Sequence, residues 1–297
     1  RGGRIEGLLV LGPRLSDEPY SSEDRALLAS AAAQAGLALE NIRLAEAMAA
    51  QLDAERRQAR ELEIAKAVQA KLLPQDTPAL PTLEYVGRCL QARAIGGDYF
   101  DFIDVGDGKL ALVLADISGK GISAALLMAS LQAGLRAQYT LAPTDLRSVL
   151  RTVNRVFYGS TAHNHYATLF FAVYDAATRR LQYANCGHLP PILRRAGGHV
   201  ERLGPTGSVI GLFDVWDCTT AETTLGAGDT LVVFSDGATD AIDADGNEFG
   251  DERLAAIVDR EAAASAGGIL DAIVRAVIDY GGTQQFDDLT LLVARGR

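Results

Sequence analysis

The sequence predicts an α+β domain built in layers and preceded by one long helix. Three observations carry this. Strand-like apolar runs come in groups and helical stripes come in pairs, instead of alternating as in βαβ units. Residues 42–73 hold no Gly or Pro and are rich in Ala, Glu, Arg, Gln and Leu, all good helix formers. Two apolar runs, Leu110–Ala115 and Thr230–Phe234, end at aspartates, Asp116 and Asp236, so each carboxylate emerges where a buried strand stops.

The chain opens on Arg1-Gly2-Gly3-Arg4 and a strand-like run, Ile5–Leu11, followed by Gly12-Pro13 and a polar loop. Nothing precedes that run to pair with it, which is expected of a piece cut from a longer chain. Ser21 and Asp24 have capping-box spacing, and Leu27, Leu28, Ala31, Ala35, Ala38, Leu39 and Ile42 continue as a helical stripe. Over residues 1–41 this pattern resembles the last strand and last helix of a GAF sensory domain. Ile42, Ala45, Ala49 and Leu52 keep 3-4 spacing, as do Leu62, Ala65 and Leu72, with a gap at Gln69 and an interruption at Arg56. Pro74 closes the run. A helix over 22–73 is ~75 Å long and needs a partner. Residues 42–74 therefore read as a linker forming a two-stranded coiled coil in a homodimer, or as a helix folded back on the domain that follows.

From Pro74 the texture changes. Pro78 and Pro81 mark an extended entry, residues 83–90 and 99–105 read as strands, and Lys109–Ala115 as a buried strand. Gly119–Tyr139 reads as a helix with Ala124, Ala125, Ala129 and Ala133 suited to close packing. A second stripe, Leu146, Val149, Leu150, Val153, Val156 and Phe157, follows Thr144 as its N-cap. Short strands at Thr168–Tyr174, Leu181–Ala184, Ile192–Arg194 and Val200–Leu203 read as an antiparallel meander. Residues 219–225 and 230–235 read as a hairpin around Gly226-Ala227-Gly228-Asp229. Helices near 251–260 and 267–280 precede a last strand, Leu289–Ala294.

Four aspartates sit in Gly-rich or strand-end contexts: Asp98, Asp116, Asp236 and Asp287. Converging carboxylates without histidine or thiolate partners favour oxygen-loving Mg²⁺ or Mn²⁺ over zinc, and a pair of such ions suits hydrolysis of phosphate esters. Composition fits this. The net charge of −10 and pI near 4.9 argue against nucleic acid or an anionic membrane surface as partner. Cys89, Cys186 and Cys218 form no Cys-x-x-Cys pair, which suits a reducing cytoplasm. No apolar stretch approaches the ~20 residues that span a bilayer, and the start has no signal-peptide apolar region.

Ordered along residues 72–290 are Leu72-Leu73-Pro74, Gly96-Gly97-Asp98-Tyr99-Phe100-Asp101, Ala115-Asp116-Ile117-Ser118-Gly119-Lys120-Gly121, Ala167-Thr168-Leu169-Phe170, Asn185-Cys186-Gly187-His188-Leu189-Pro190-Pro191, Ser235-Asp236-Gly237 and Asp287-Asp288-Leu289-Thr290. In this order they make residues 75–297 resemble a PPM-type (2C-type) Ser/Thr protein phosphatase of the bacterial SpoIIE/RsbU-like branch. The resemblance implies a four-layer α-β-β-α sandwich and two divalent cations, Mn²⁺ or Mg²⁺, at one end of two packed sheets. It places Asp116 as the bridging ligand, Ile117 as a ligand through its carbonyl, Asp236 and Asp287 on the first metal, and Asp98 near the metals. It implies water as nucleophile and a phosphorylated STAS-type anti-sigma-factor antagonist as substrate, with control by the N-terminal sensor through the helical linker. A catalytically weak scaffold of the same fold that binds a signalling partner is the alternative.

Lesser candidates accompany these. Asp288 is either a second ligand or a solvent-facing neighbour of Asp287, and Asp101 either touches metal or caps a loop. Arg93, five residues before Asp98, is a phosphate contact or a surface charge, and Lys120 has a weaker claim to the same role. His163-x-His165 and Cys186-x-His188 lack a complete zinc spacing. Asp243-Ala244-Asp245-Gly246 lacks the first calcium ligand, since Ala241 occupies that position.

Overall fold

A computed structural model of the chain describes residues 7–16, 18–75, 77–141, 145–161, 165–282 and 287–297. The chain divides into two compact units, Arg1–Glu63 and Ile64–Arg297. Helix α1 (Ser22–Ala70) supplies most of the first unit, and its final turns, from Ile64, belong to the second. The capping box forms as read: Ser21 N–H donates to Asp24 Oδ2 at 2.9 Å, and Asp24 N–H to Ser21 Oγ at 3.1 Å. At the other end the amides of Lys71 and Leu72 close onto Val68 and Gln69 carbonyls in a last tight turn, two residues short of Pro74. Ile42 and Leu52 of the predicted seam are exposed. The strand expected over Ile5–Leu11 is corrected: residues 7–11 have no regular structure and Leu8 is 80% exposed. A strand needs a neighbour for its amides and carbonyls, and among the described residues none pairs with this one.

The second unit is a four-layer sandwich. Sheet one runs, in spatial order, β1 (Leu83–Leu90), β10 (Leu289–Gly296), β9 (Thr230–Phe234), β6 (Ile192–Arg194) and β7 (Val200–Arg202). Sheet two runs β2 (Tyr99–Gly106), β3 (Lys109–Ile117), β4 (Ala167–Asp175), β5 (Arg180–Cys186) and β8 (Ala221–Thr224). Neighbours in both sheets are antiparallel. Side chains alternate between faces of each strand, and the three cores follow that parity. Leu110, Leu112 and Leu114 of β3 meet Leu231 and Val233 of β9 and Leu292 of β10 between the sheets. The odd positions Ala111, Val113 and Ala115 face helices α2 (Ile122–Leu141) and α3 (Leu146–Ser160). On the outer face of sheet one, Val232, Phe234, Leu291 and Val293 pack under α4 (Gly250–Arg260) and α5 (Ala266–Gly281). Each fully buried Leu, Val or Phe stabilises by ~1.5–3 kcal/mol relative to exposure.

Several readings are corrected in detail. α2 starts at Ile122, because Gly119 and Gly121 hold φ of +101° and +80°, which breaks the helical path. Of its five alanines only Ala124 is fully buried; Met128, Leu131, Leu135 and Tyr139 complete the inward stripe. Asp145 caps α3 by accepting from Ser148 N–H at 3.1 Å; Thr144 lies outside the described residues. The meander is broken after Cys186, where the chain leaves sheet two for sheet one. The hairpin over 219–235 does not exist either: β8 pairs with β5 in sheet two, whereas β9 lies between β10 and β6 in sheet one.

The Gly226–Asp229 turn instead carries the chain from one sheet to the other. Gly228 N–H donates to Gly296 O and Gly296 N–H to Asp229 O, both at 3.0 Å. Arg195, in the β6–β7 turn, donates to Thr224 O at 2.6 Å and to Asp229 Oδ2 at 3.0 Å. This end of the sandwich is joined across the sheets. β3 and β9 end, and β2 and β10 begin, at the opposite end.

Candidate metal centre

The aspartates gather at that opposite end, and they come from both sheets. By parity Asp116 shares the face of Leu110, Leu112 and Leu114, so it points between the sheets at the tip of β3. Asp98, just before β2, has the same inward parity and is 3% exposed. From sheet one, Asp236 opens a 3-10 turn (Asp236–Ala238) at the exit of β9, and Asp287 and Asp288 precede β10. Ser235 fastens that pair of strand ends, donating through Oγ to Asp288 O and accepting from Thr290 N–H, both at 3.0 Å. Asp116, Asp287, Asp288, Arg93, Lys120 and the Gly96-Gly97 backbone line one cleft. Arg93 is exposed at its rim.

Electrostatics at this end oppose a full set of charged carboxylates. Burial, and then the charge of Asp116, hold the Asp98 carboxyl well above the usual range. Asp116 is pushed up to about 7 by burial and then by Asp236, Asp287 and Asp288. Burial and Asp287 raise Asp236 as well. Like charges this close oppose ionisation unless a cation offsets them. Lys120 supplies one positive charge, its Nζ 2.7 Å from Asp287 Oδ2.

A divalent ion fits this donor set. Oδ2 of Asp98 is buried without a hydrogen-bond partner, a costly arrangement that an ion or proton relieves. The donors are oxygens throughout, and the Ile117 carbonyl lies 2.9 Å from where a Cβ on Gly97 would fall. As the side chains stand, no three His, Cys, Asp or Glu among the described residues are drawn tightly enough to enclose an ion.

Two sequence candidates behave differently from the rest. Asp101 is fully buried but has the opposite parity, and it faces α2. Arg136 grips it with two hydrogen bonds of 2.7 Å, and Tyr99 OH donates to the same carboxylate. Asp101 is thus part of a structural ion pair and stands apart from the carboxylate cleft. Asp288 lines the cleft, yet its Oδ1 accepts from Ala92 N–H at 2.9 Å and its Oδ2 from Gly97 N–H at 3.1 Å, so it anchors the Arg93–Asp98 loop.

Two residues noted in the sequence, but not placed by it, lie near the site. His188 is buried and neutral, its pKa lowered to about 4 by burial, and its Nδ1 lies 2.8 Å from Thr168 Oγ1, with Thr168 directly across the ladder from Asp116. Gln69 is the second. Of the zinc decoys, His163 lies outside the described residues. The calcium-like Asp243 accepts from Asp245 N–H and Asn247 N–H in a turn.

Two antiparallel sheets under paired helices, with acidic loops at one end, place the domain among the PP2C-type protein phosphatases in fold. The SiaA-PP2C domain of Pseudomonas aeruginosa superposes with a TM-score of 0.71 at 22% identity, over 82% of this chain and 97% of that domain. Residues 106–297 match the family of stage II sporulation protein E (SpoIIE), and the chain belongs to that family. Arg93 and Asp98 precede the matched residues. Among relatives, protein IcfG of Synechocystis sp. is 29% identical over 259 residues, 78% of this chain and 41% of IcfG. Phosphoserine phosphatase RsbU of Bacillus subtilis is 29% identical over 238 residues, 79% of this chain and 70% of RsbU. The chain thus spans less than half of IcfG. Among the described residues no helix is long and apolar enough to cross a membrane.

Proposed function

We propose that this chain is a divalent-metal-dependent phosphatase acting in the cytoplasm on phosphoserine or phosphothreonine of a regulatory protein. The observation that carries this reading is the buried, unpartnered Asp98 Oδ2 beside an Asp116 carboxyl raised by burial and by three further aspartates, with Arg93 on the cleft that Asp116 lines. Asp98, Asp116, Asp236, Asp287 and the Ile117 carbonyl would hold two cations, Mn²⁺ or Mg²⁺. Such ions supply a nucleophile at neutral pH and offset charge on the phosphoryl oxygens. Arg93, with a planar fork of donors suited to phosphate, orients the ester at the rim. Asp288 keeps that arginine's loop in place from below. The family resemblance supports a STAS-type anti-sigma-factor antagonist as the substrate. The direct test is release of phosphate from a phosphoserine STAS-domain protein with Mn²⁺ or Mg²⁺. Activity is expected with the metal and is expected to vanish with chelator; full activity after exhaustive metal removal would refute the metal reading.

Regulation belongs to the same proposal. Residues 1–41 are read as the end of a GAF-like sensor, 42–74 as the linker and 75–297 as the catalytic domain, with the exposed Ile42 and Leu52 seam joining two copies. Sedimentation of the full chain should give a dimer. The Ile42→Asp/Leu52→Asp double variant should give a monomer with an altered basal rate and the same metal requirement. A monomeric parent chain would remove the dimer from the account.

A further inference from the structure

The final turn of α1 carries one buried side chain, and it is polar: Gln69, 4% exposed. Its amide is engaged, through both nitrogen and oxygen, with the segment that leads to Asp98. Gln69 Nε2 donates to Gly96 O at 2.7 Å, while Gly96 N–H donates back to Gln69 Oε1 at 3.2 Å. Gln91 Nε2 donates to the same Oε1 at 2.7 Å. An extended residue turns its N–H and C=O to one side, so the side-chain amide takes the place of a neighbouring strand for Gly96. Only a group with a donor and an acceptor in one plane can do this. From the other side Asp288 Oδ2 accepts from Gly97 N–H, and Gly97 lies against the Ile117 carbonyl. The Gly96-Gly97 segment is thus clamped between helix and strand, one residue from Asp98.

We infer that Gln69 is a positioning residue for the metal centre: its amide sets the location of Gly96-Gly97, and through it the approach of Asp98 and the Ile117 carbonyl to a bound cation. The inference rests on the metal-dependent reading above and adds a residue and a role to it. Two substitutions in the full chain separate this role from simple support of the fold. Gln69→Met keeps length and removes both polar functions; Gln69→Glu keeps acceptors and sets a carboxylate oxygen against the Gly96 carbonyl.

Mn²⁺ binding is measured by calorimetry without substrate, beside thermal unfolding in chelator and kcat at saturating Mn²⁺. Both variants are expected to bind Mn²⁺ about tenfold more weakly or worse. At saturating Mn²⁺, kcat should recover to within about threefold of the parent, because the loop is misplaced and the ligands remain. Affinity within twofold of the parent in folded variants overturns the inference, as does a drop in unfolding temperature with no change in affinity. Should both variants fail to fold, Gln91→Met frees one bond to Oε1 at a half-buried position. A two- to fivefold weaker affinity there supports the role, and an unchanged one overturns it. A parent chain that binds no Mn²⁺ refutes the metal centre itself, a result distinguishable from parent-like variants.

Discussion

Asp116→Asn is expected to lower phosphatase turnover on the order of 10³-fold, about 4 kcal/mol of transition-state stabilisation. Asn preserves the shape at the tip of β3 and removes the charge that would hold two ions together. The same substitution should stabilise the chelated protein at neutral pH. In the folded state burial and neighbouring carboxylates push the Asp116 pKa up to about 7, against an ordinary value of 3.8. Between those values the folded state binds the extra proton. This group therefore favours folding most below about pH 4, and that contribution is lost as pH rises through about 7. In chelator, the parent chain's unfolding temperature should fall between about pH 5 and about pH 8, and that of Asp116→Asn should fall less. Parent-like turnover, or identical pH slopes, would contradict the placement of Asp116.

Gly96→Ala should damage both stability and metal binding. A Cβ at this position would fall 1.8 Å from Asp288 Oδ2. That carboxylate cannot simply turn away, because its two oxygens hold the amides of Ala92 and Gly97. Either the anchor or the loop must move. Overpacking of this kind typically costs 1–3 kcal/mol, and an expected loss of about 2 kcal/mol is readable in urea unfolding with chelator. Mn²⁺ affinity should fall about tenfold, equivalent to about 1.4 kcal/mol. Parent-like values in both measurements would show that the loop has more room than its contacts indicate.

The strands and their acidic ends were legible because period-two alternation and apolar runs are local properties of sequence. β1 and β6 fall where the pattern put them, and Asp116 follows from three alternating leucines. Sheet membership was not legible. Gly226 to Asp229 reads as a hairpin turn, and only the distant partners β5 and β10 decide that the chain crosses between sheets there. Parity also held information about Asp101, which is three residues from Asp98 and so faces the other way on a regular strand; the shared acidic motif obscured it. The gap that Gln69 leaves in the apolar spacing of the linker was visible, but its partner lies 27 residues away, beyond any local pattern. The strand expected near Leu8 failed for the converse reason, since apolar alternation creates no strand without a neighbour.

The crossover at Gly226–Asp229 has a mechanical meaning. With the crossover and Arg195, which donates to Thr224 O, joining the sheets there, the sandwich works like a clothes-peg whose spring is at one end and whose jaws carry Asp116 on one arm and Asp236 with Asp287 on the other. At the jaws the arms are held by Lys120 on Asp287 and by Asp288 on the amides of Ala92 and Gly97, while the carboxylates between them repel one another. An ion gripped by both arms would turn that repulsion into a further tie. Occupancy of the site and stiffness of the whole sandwich then become a single variable, measurable as slowed amide exchange in β3 and β9, well away from any substrate.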